Sequence, residues 1–328
     1  MFKSLSRLAM TSAALCAMVL AGVAGVQAAD DYPSRPIKLI VPWGAGGGMD
    51  NMSRILEPIF SKKLGQSFSF YYKPGASSAL GTLELAQAKP DGYTLSVNNF
   101  PLQATNVALG IGNYKVDDLV PVCMVAHDST MVAVLKDAPW KTMEEFVAAA
   151  KAAPDTISVA GPDRFGPSHG TALLLKKIGV PINVIPIAAG ASKGNAALLG
   201  GQVQADTCTV SGLISIKDSI RVLMVCNRER ISQFPDVPTS VELGMPEVMG
   251  FCGRFFWVPK GTPIEIINKL DEALREAALD PEVQKRLLEA GMEPHYLNHA
   301  DAVKFIEEFQ PVVDSLVESY KYAIEKGF

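Results

Sequence analysis

The sequence predicts an α/β protein of two lobes, each a mostly parallel sheet flanked by helices, with a ligand cleft between them. Three observations carry this. Short apolar runs alternate with amphipathic stretches in βαβαβ order, which implies parallel strands joined by crossover helices. The 328 residues exceed what one hydrophobic core usually serves, so two domains are expected. Glycines at 44, 46, 47 and 48 stand between the first strand and the first helix, where open α/β sheets take their ligands.

Residues 1–28 read as an export leader. Lys3 and Arg7 form a basic start, LAMTSAALCAMVLAGVAGV is the apolar segment, and Val26-Gln27-Ala28 is a small-residue cleavage site. The chain is therefore expected in the periplasm. No other run is long and apolar enough to span a bilayer. Cleavage removes two of the 30 basic residues and none of the 34 acidic ones, for a net charge of −6. A mildly acidic chain is poorly suited to nucleic acid or an anionic membrane surface. Cys123, Cys208, Cys226 and Cys252 remain, with no C-x-x-C pair. Three of them lie in or beside apolar runs, where a small buried thiol is the default.

The elements follow in order. IKLIV (37–41) is a strand. DNMSRILEPIFSKKLG carries Met52, Ile55, Leu56, Ile59 and Leu64 at helical spacing, with Asp50 as N-cap and Gly65 as C-cap. Pro58 is a blemish there, because it removes one helical hydrogen bond. SFSFYY (67–72) and TLSVN are strands on either side of the short helix ALGTLELAQAK. VPVCMVA and TMVAVL (120–135) read as two strands. KTMEEFVAAAKAA is a helix with a Thr142/Glu145 capping box. TISVAG, NVIPIA, QADTCTV and SIRVLMVC are strands, with helices TALLLKKIG and AGASKGNAALLGG between them. The tail is helical. Thr262-Pro263-Ile264-Glu265 is a capping box, Asp280-Pro281 opens a second helix that stops at Gly291, and Asn298 caps a third carrying Phe305, Phe309, Val312 and Leu316.

The glycine loop has the physics of an anion site. Glycines let the backbone approach a ligand, and the helix starting near Asn51 adds unsatisfied amides and a partial positive charge. Nucleotide motifs fail: no Lys-Ser/Thr follows the glycines, and the sixth position counted from Gly44 or Gly46 is Met49 or Asn51. NNFPLQATN (98–106), GPDRFGPSHG (161–170) and AAGASKGN (188–195) are three further polar loops that can share the pocket. No catalytic set is evident. Ser168 and His169 are sequence neighbours and do not make a Ser–His pair, and Asp50 is better explained as a cap than as a base. The histidines have no metal-site spacing, so no metal or cofactor is expected. Arg164 and Arg254 are cations that suit a carboxylate. Trp43 and Phe100 are aromatics fit either for a pocket wall or for the core.

YPSRPIKLIVPWGAGGGMDNMSRIL, KPGASSALGTLELAQAKPDGYTLSV, PDVPTSVELGMPE and VPKGTPIEIINKL together resemble the tripartite tricarboxylate transporter solute receptors, the Bug family of periplasmic binding proteins. That resemblance spans the mature chain. It implies a two-lobed periplasmic-binding-protein-like fold, with residues 30–125 plus 250–328 as one lobe and 126–249 as the other. It implies a small organic carboxylate held by Trp43, Gly44, Ala45, Gly46, Gly47, Gly48 and Asp50, by the loop at Asn99, and by a second-lobe loop with Ser168 and His169. The expected protein is a monomer that performs no chemistry and delivers its ligand to a membrane permease. The rival readings are a secreted enzyme with Asp50 or His169 as base, or a receptor presenting ligand to a sensor protein. Met49 stands where the family often has Thr, Trp43 where Phe is common, and Arg254 where an aromatic is more usual.

Overall fold

The computed structural model describes residues 32–162, 164–187 and 190–327; the expected leader lies outside them. The first half opens with β1 (Ile37–Val41), α1 (Gly48–Leu64), β2 (Phe68–Tyr72), α2 (Ala79–Ala86), β3 (Thr94–Phe100) and α3 (Leu102–Ala108). A long strand, β4 (Leu119–Leu135), follows. Next come α4 (Met143–Ala152), β5 (Ser158–Pro162), α5 (Pro167–Lys177), β6 (Asn183–Ile187), α6 (Ala191–Leu199), β7 (Ala205–Asp206), α7 (Val210–Leu213) and β8 (Ile220–Cys226). The chain then returns through β9 (Phe251–Pro259). It ends with α8 (Ile264–Ala278), α9 (Pro281–Glu289), β10 (Glu293–Leu297), α10 (His299–Glu308) and α11 (Gln310–Glu325).

The strands form two sheets sharing β4. In the first, β2, β1 and β3 are parallel, β9 pairs antiparallel to β3, β4 antiparallel to β9, and β10 antiparallel to β4. In the second, β6, β5 and β7 are parallel, β4 pairs antiparallel to β7, and β8 antiparallel to β4. Residues Leu119–Ser129 of β4 pair with β9, and Thr130–Leu135 pair with β8. The expected two strands in 120–135 are therefore one. β4 keeps its ladder through His127, Asp128 and Ser129, which pair with Gly253, Cys252 and Phe251 of β9.

Local signals explain most elements. In α1 the apolar Met52, Ile55, Leu56 and Phe60 are buried on one stripe, and Gly65 ends the helix at φ 69°. Pro58 sits on the exposed side of α1, so the carbonyl it leaves unbonded faces water. In α8, Ile266, Ile267, Leu270, Ala273, Leu274 and Ala277 are buried at helical spacing. Each fully buried large apolar side chain contributes about 1.5–3 kcal/mol. These two helices cover one face of the first sheet, where Phe60 stacks on Phe68 at 4.1 Å. Asp280 and Asn298 cap their helices as expected.

Several expectations are corrected. The 98–106 and 161–170 segments are largely regular structure: β3 runs to Phe100 and α3 starts at Leu102, while β5 ends at Pro162 and α5 starts at Pro167, with a short connection between them. Thr262 forms no capping box; its Oγ1 donates to the Pro259 carbonyl at 2.8 Å, and Pro263 is the cap. The tail is not wholly helical, because β10 adds to β4, and the expected last helix divides at Phe309 into α10 and α11. QADTCTV yields only a two-residue strand. None of the four cysteines is in a disulfide, and all are buried. Among the described residues no helix is long and apolar enough to cross a membrane.

Candidate functional site

Parallel pairing sets the site. β1 and β3 end at the same edge, and β9 begins there, with Asn99 of β3 directly opposite Arg254 of β9. From β1 the chain turns through Gly44–Gly47 into α1. Gly46 has φ +77°, a left-handed conformation that glycine adopts without strain. The Gly47 amide donates to the Gly44 carbonyl at 3.3 Å and closes the turn. Gly44, Ala45 and Gly46 are exposed, and Gly47 and Gly48 are half-buried. The amides of Gly48, Met49 and Asp50 open the helix and have no acceptor four residues back within it.

Asp50 is not the N-cap. Gly47 takes that position, and Asp50 lies in the first turn, where its Oδ2 accepts from the Gly46 amide at 2.8 Å. Its Oδ1 accepts from Arg54 Nε and from the Tyr72 hydroxyl, both at 2.9 Å. The carboxylate is thus committed to holding the turn in shape.

Arg254 is the unexpected centre of the junction. It is 5 % exposed. Its Nη2 donates to Asp128 Oδ2 at 2.6 Å and to Ser211 Oγ at 2.8 Å. Ser211 belongs to α7 beyond the second sheet, so this bond ties the two sheets together. A Cβ on Gly48 would lie 3.0 Å from Ser211 Oγ and 3.3 Å from Arg254 Nη2. A side chain at position 48 would crowd both, so glycine suits that approach of α1 to α7. Arg254 Nε and Asp128 Oδ1 are buried with no hydrogen-bond partner. So are Trp43 Nε1 and Asn99 Oδ1. Buried polar atoms are normally paired, so these four carry open hydrogen-bonding capacity.

Ser168 and His169 lie in the first turn of α5 rather than in a loop, and both are buried. The Phe165 amide donates to His169 Nδ1 at 3.1 Å, which leaves the proton on Nε2, a buried atom without a partner. Burial, and secondarily Arg164, push the His169 pKa down to about 4. It is a neutral donor at pH 7, with its accepting nitrogen already used. The Ser168 carbonyl accepts from Thr207 Oγ1 at 2.9 Å. Among the described residues no hydrogen bond joins Ser168 or His169 to the 42–50 turn. Their loop meets the first half where Ser77 Oγ donates to the Arg164 carbonyl at 2.6 Å.

The other sequence candidates separate cleanly. Trp43 is half-buried against the core of the first sheet. Phe100 is core, packed among Phe255, Phe305 and Phe309. The Arg164 side chain is exposed and lies over the Phe165 ring. Sequence reasoning missed Asp128 and Ser211. The available signal for Asp128 was an acid in a short polar stretch between two apolar, strand-like runs. No group of three or more His, Cys, Asp or Glu suited to a metal occurs among the described residues.

Two sheets joined through a shared strand, with a glycine turn and helix N-termini gathered at their carboxyl edges, define a solute-binding protein of the periplasmic type. The chain belongs to the tripartite tricarboxylate transporter family receptors, whose family model matches residues 52–320. It is 32 % identical over 280 residues to the protein BugT of Bordetella pertussis, covering 84 % of this chain and 86 % of that one. Among solved structures it resembles MatC of Rhodopseudomonas palustris with bound malate. The identity is 25 %, the TM-score is 0.78, and 87 % of this chain and 100 % of that one are covered. It also resembles the periplasmic binding protein BugD, at 26 % identity and TM-score 0.75, over 90 % of this chain and 99 % of that one.

Proposed function

We propose that this receptor works in the periplasm, captures a small organic carboxylate between two lobes and hands it to a membrane permease as a monomer. The lobes comprise about residues 30–125 plus 250–328 and 126–249, joined where β4 and β9 cross. The guest's carboxylate meets the α1 amides beyond Gly47 and the Arg254 guanidinium, while Trp43, Asn99, Ser168 and His169 complete the walls. The observation that carries this reading is the α1 N-terminus facing a buried arginine and an α7 serine from the opposite sheet. A helix start and a guanidinium both favour a negative group. The malate bound to MatC supports the ligand class.

No chemistry is performed. A base needs a free lone pair within reach of its proton. Asp50 spends its oxygens on Gly46, Arg54 and Tyr72, and His169 spends Nδ1 on Phe165. The ligand's differential contacts with both lobes favour the closed arrangement.

A thermal-shift screen with di- and tricarboxylates, hydroxy acids and aromatic acids tests the proposal. At a hundredfold excess over Kd, one-site binding stabilises by about 2.7 kcal/mol. One class of acid should raise Tm and be recovered unaltered. Recovery of a transformed product would make the protein an enzyme, and no shift with any acid would remove the carboxylate reading.

A further inference from the structure

Side-chain alternation gives β4 and β9 two different faces. Asp128 and Arg254 share one; His127, Ser129 and Phe251 share the other, since His127 pairs with Gly253 and Ser129 with Phe251. On that second face lies a cavity of about 560 Å³, bounded by both sheets and by α10 and α11. It borrows Leu102, Thr105, Phe165 and Pro167 from the 98–106 and 161–170 segments, but Trp43, the glycine turn, Asn99, Ser168, His169 and Arg254 do not line it. Its volume falls in the range of small-molecule pockets, roughly 300–1,000 Å³.

Its walls are divided by chemistry. Leu102, Phe305, Phe309, Val312, Leu316 and Tyr320 give an apolar portion. His127, His295, Ser129, Asn227 and Arg228 give a polar one. No Asp or Glu lines it among the described residues. His127 and His295 meet edge to face at 5.5 Å, and His127 Nδ1 is buried with no partner. Arg228 has no ion pair among the described residues, whereas the nearby Arg230 is paired with Glu242. Two acids flank the polar portion: Glu293, opposite His127 in the ladder, accepts from Ser232 Oγ and acts electrostatically on His127, while Asp128 is paired with Arg254 on the other face.

We propose that this cavity is a second binding site, separate from the cleft, for an apolar monocarboxylate such as a medium-chain or aromatic acid. Its body lies on the Phe305, Phe309, Val312 and Leu316 wall, and its carboxylate meets Arg228, Asn227 and an N–H of His127 or His295. Because residues from both sheets and α11 line the cavity, such a guest braces the same junction that the cleft ligand closes.

Calorimetric titration of the full chain with octanoate, benzoate and octanol tests this. Octanoate should bind one site, and octanol should bind it more weakly. Arg228→Ala removes an exposed, unpaired cation and should weaken octanoate about tenfold, as expected for one charge-assisted hydrogen bond, while leaving octanol unchanged. Val312→Trp narrows the cavity from a residue 43 % exposed and should abolish binding of both without unfolding the chain. Gly47→Val in the cleft should leave octanoate affinity unchanged. No binding of octanoate or benzoate at millimolar concentration would overturn the proposal. So would octanoate binding that survives Val312→Trp, or that disappears with Gly47→Val.

Discussion

Replacing Arg254 with Met isolates the energetics of the junction. Asp128 is 1 % exposed. Its Oδ2 accepts from Arg254 Nη2 at 2.6 Å and from the Ser211 amide at a long 3.4 Å, and its Oδ1 has no partner. The guanidinium is therefore almost the whole compensation for a carboxylate taken out of water. Removing one member of a buried pair destabilises by about 3–5 kcal/mol, because the surviving charge is left uncompensated. At 2–4 °C per kcal/mol, Tm should fall by roughly 6–20 °C. The double variant Asp128→Leu with Arg254→Met removes both charges and should recover most of that loss, since apolar replacement of an entire buried pair is commonly neutral or stabilising by about 1–4 kcal/mol. Scanning calorimetry and urea unfolding of the three proteins give the cycle directly. A loss below about 1 kcal/mol in the single variant, or a double variant as unstable as the single one, would refute the argument.

Other consequences are open to measurement. Gly47 is extended at φ −76°, so Gly47→Val should fold, but its side chain crowds the Gly44 carbonyl and the anion position and should weaken carboxylate binding at least about tenfold by calorimetry. Gly46→Ala must adopt φ +77° and should lower stability by roughly 1 kcal/mol in urea unfolding, despite the open space around it. Because the His169 pKa is depressed to about 4 in the folded chain, the unfolded state takes up its proton first as pH falls. The resulting penalty is absent above about pH 6.5, grows as pH drops and is complete below about pH 4. His127, also shifted down, mainly by burial and then by His295, adds to the same slope. Tm measured against pH should flatten in His169→Gln, which keeps an acceptor for the Phe165 amide. Asp280→Ala removes an oxygen that accepts from the Glu282 and Val283 amides and should lower stability by about 1 kcal/mol in urea unfolding.

Legibility tracked the sequence distance over which each feature is determined. The β1–turn–α1 unit was readable because its causes are local: an apolar run, a left-handed glycine and a helical stripe. The caps at Asp280 and Asn298 were readable for the same reason. Asp50 was half-read. Its place at the helix start was visible, but its partner Tyr72 lies 22 residues away, and that bond makes it a brace. Arg254 and Asp128 are 126 residues apart, and Arg254 and Ser211 are 43 apart. No local pattern links them, although each charged residue sits in a strand that is otherwise apolar. β9 and β10 were missed because their ladders are long-range. FCGRFFWVP and EPHYL lack the clean alternation of a half-exposed strand, and only pairing with β4 and β3 settles them.

The polar triplet His127-Asp128-Ser129 explains how one strand serves two sheets. At the handover from β9 to β8 the strand is flanked by both halves of the molecule, so neither of its faces meets a uniform core. An apolar triplet would be satisfied by collapse of the halves onto it, leaving nothing for a ligand to add. Asp128 instead recruits Arg254 from β9 and the Ser211 amide from α7, while His127 and Ser129 keep the opposite face from closing fully. Buried polar groups of this kind demand particular partners and geometries, so they discriminate between arrangements of the halves that apolar contact would accept alike. A comparison of Asp128→Leu/Arg254→Met with the parent chain exposes that division. Stability should be retained, while carboxylate affinity and the scattering change on ligand addition should both be lost. Retained affinity would mean that the glycine turn alone selects the ligand.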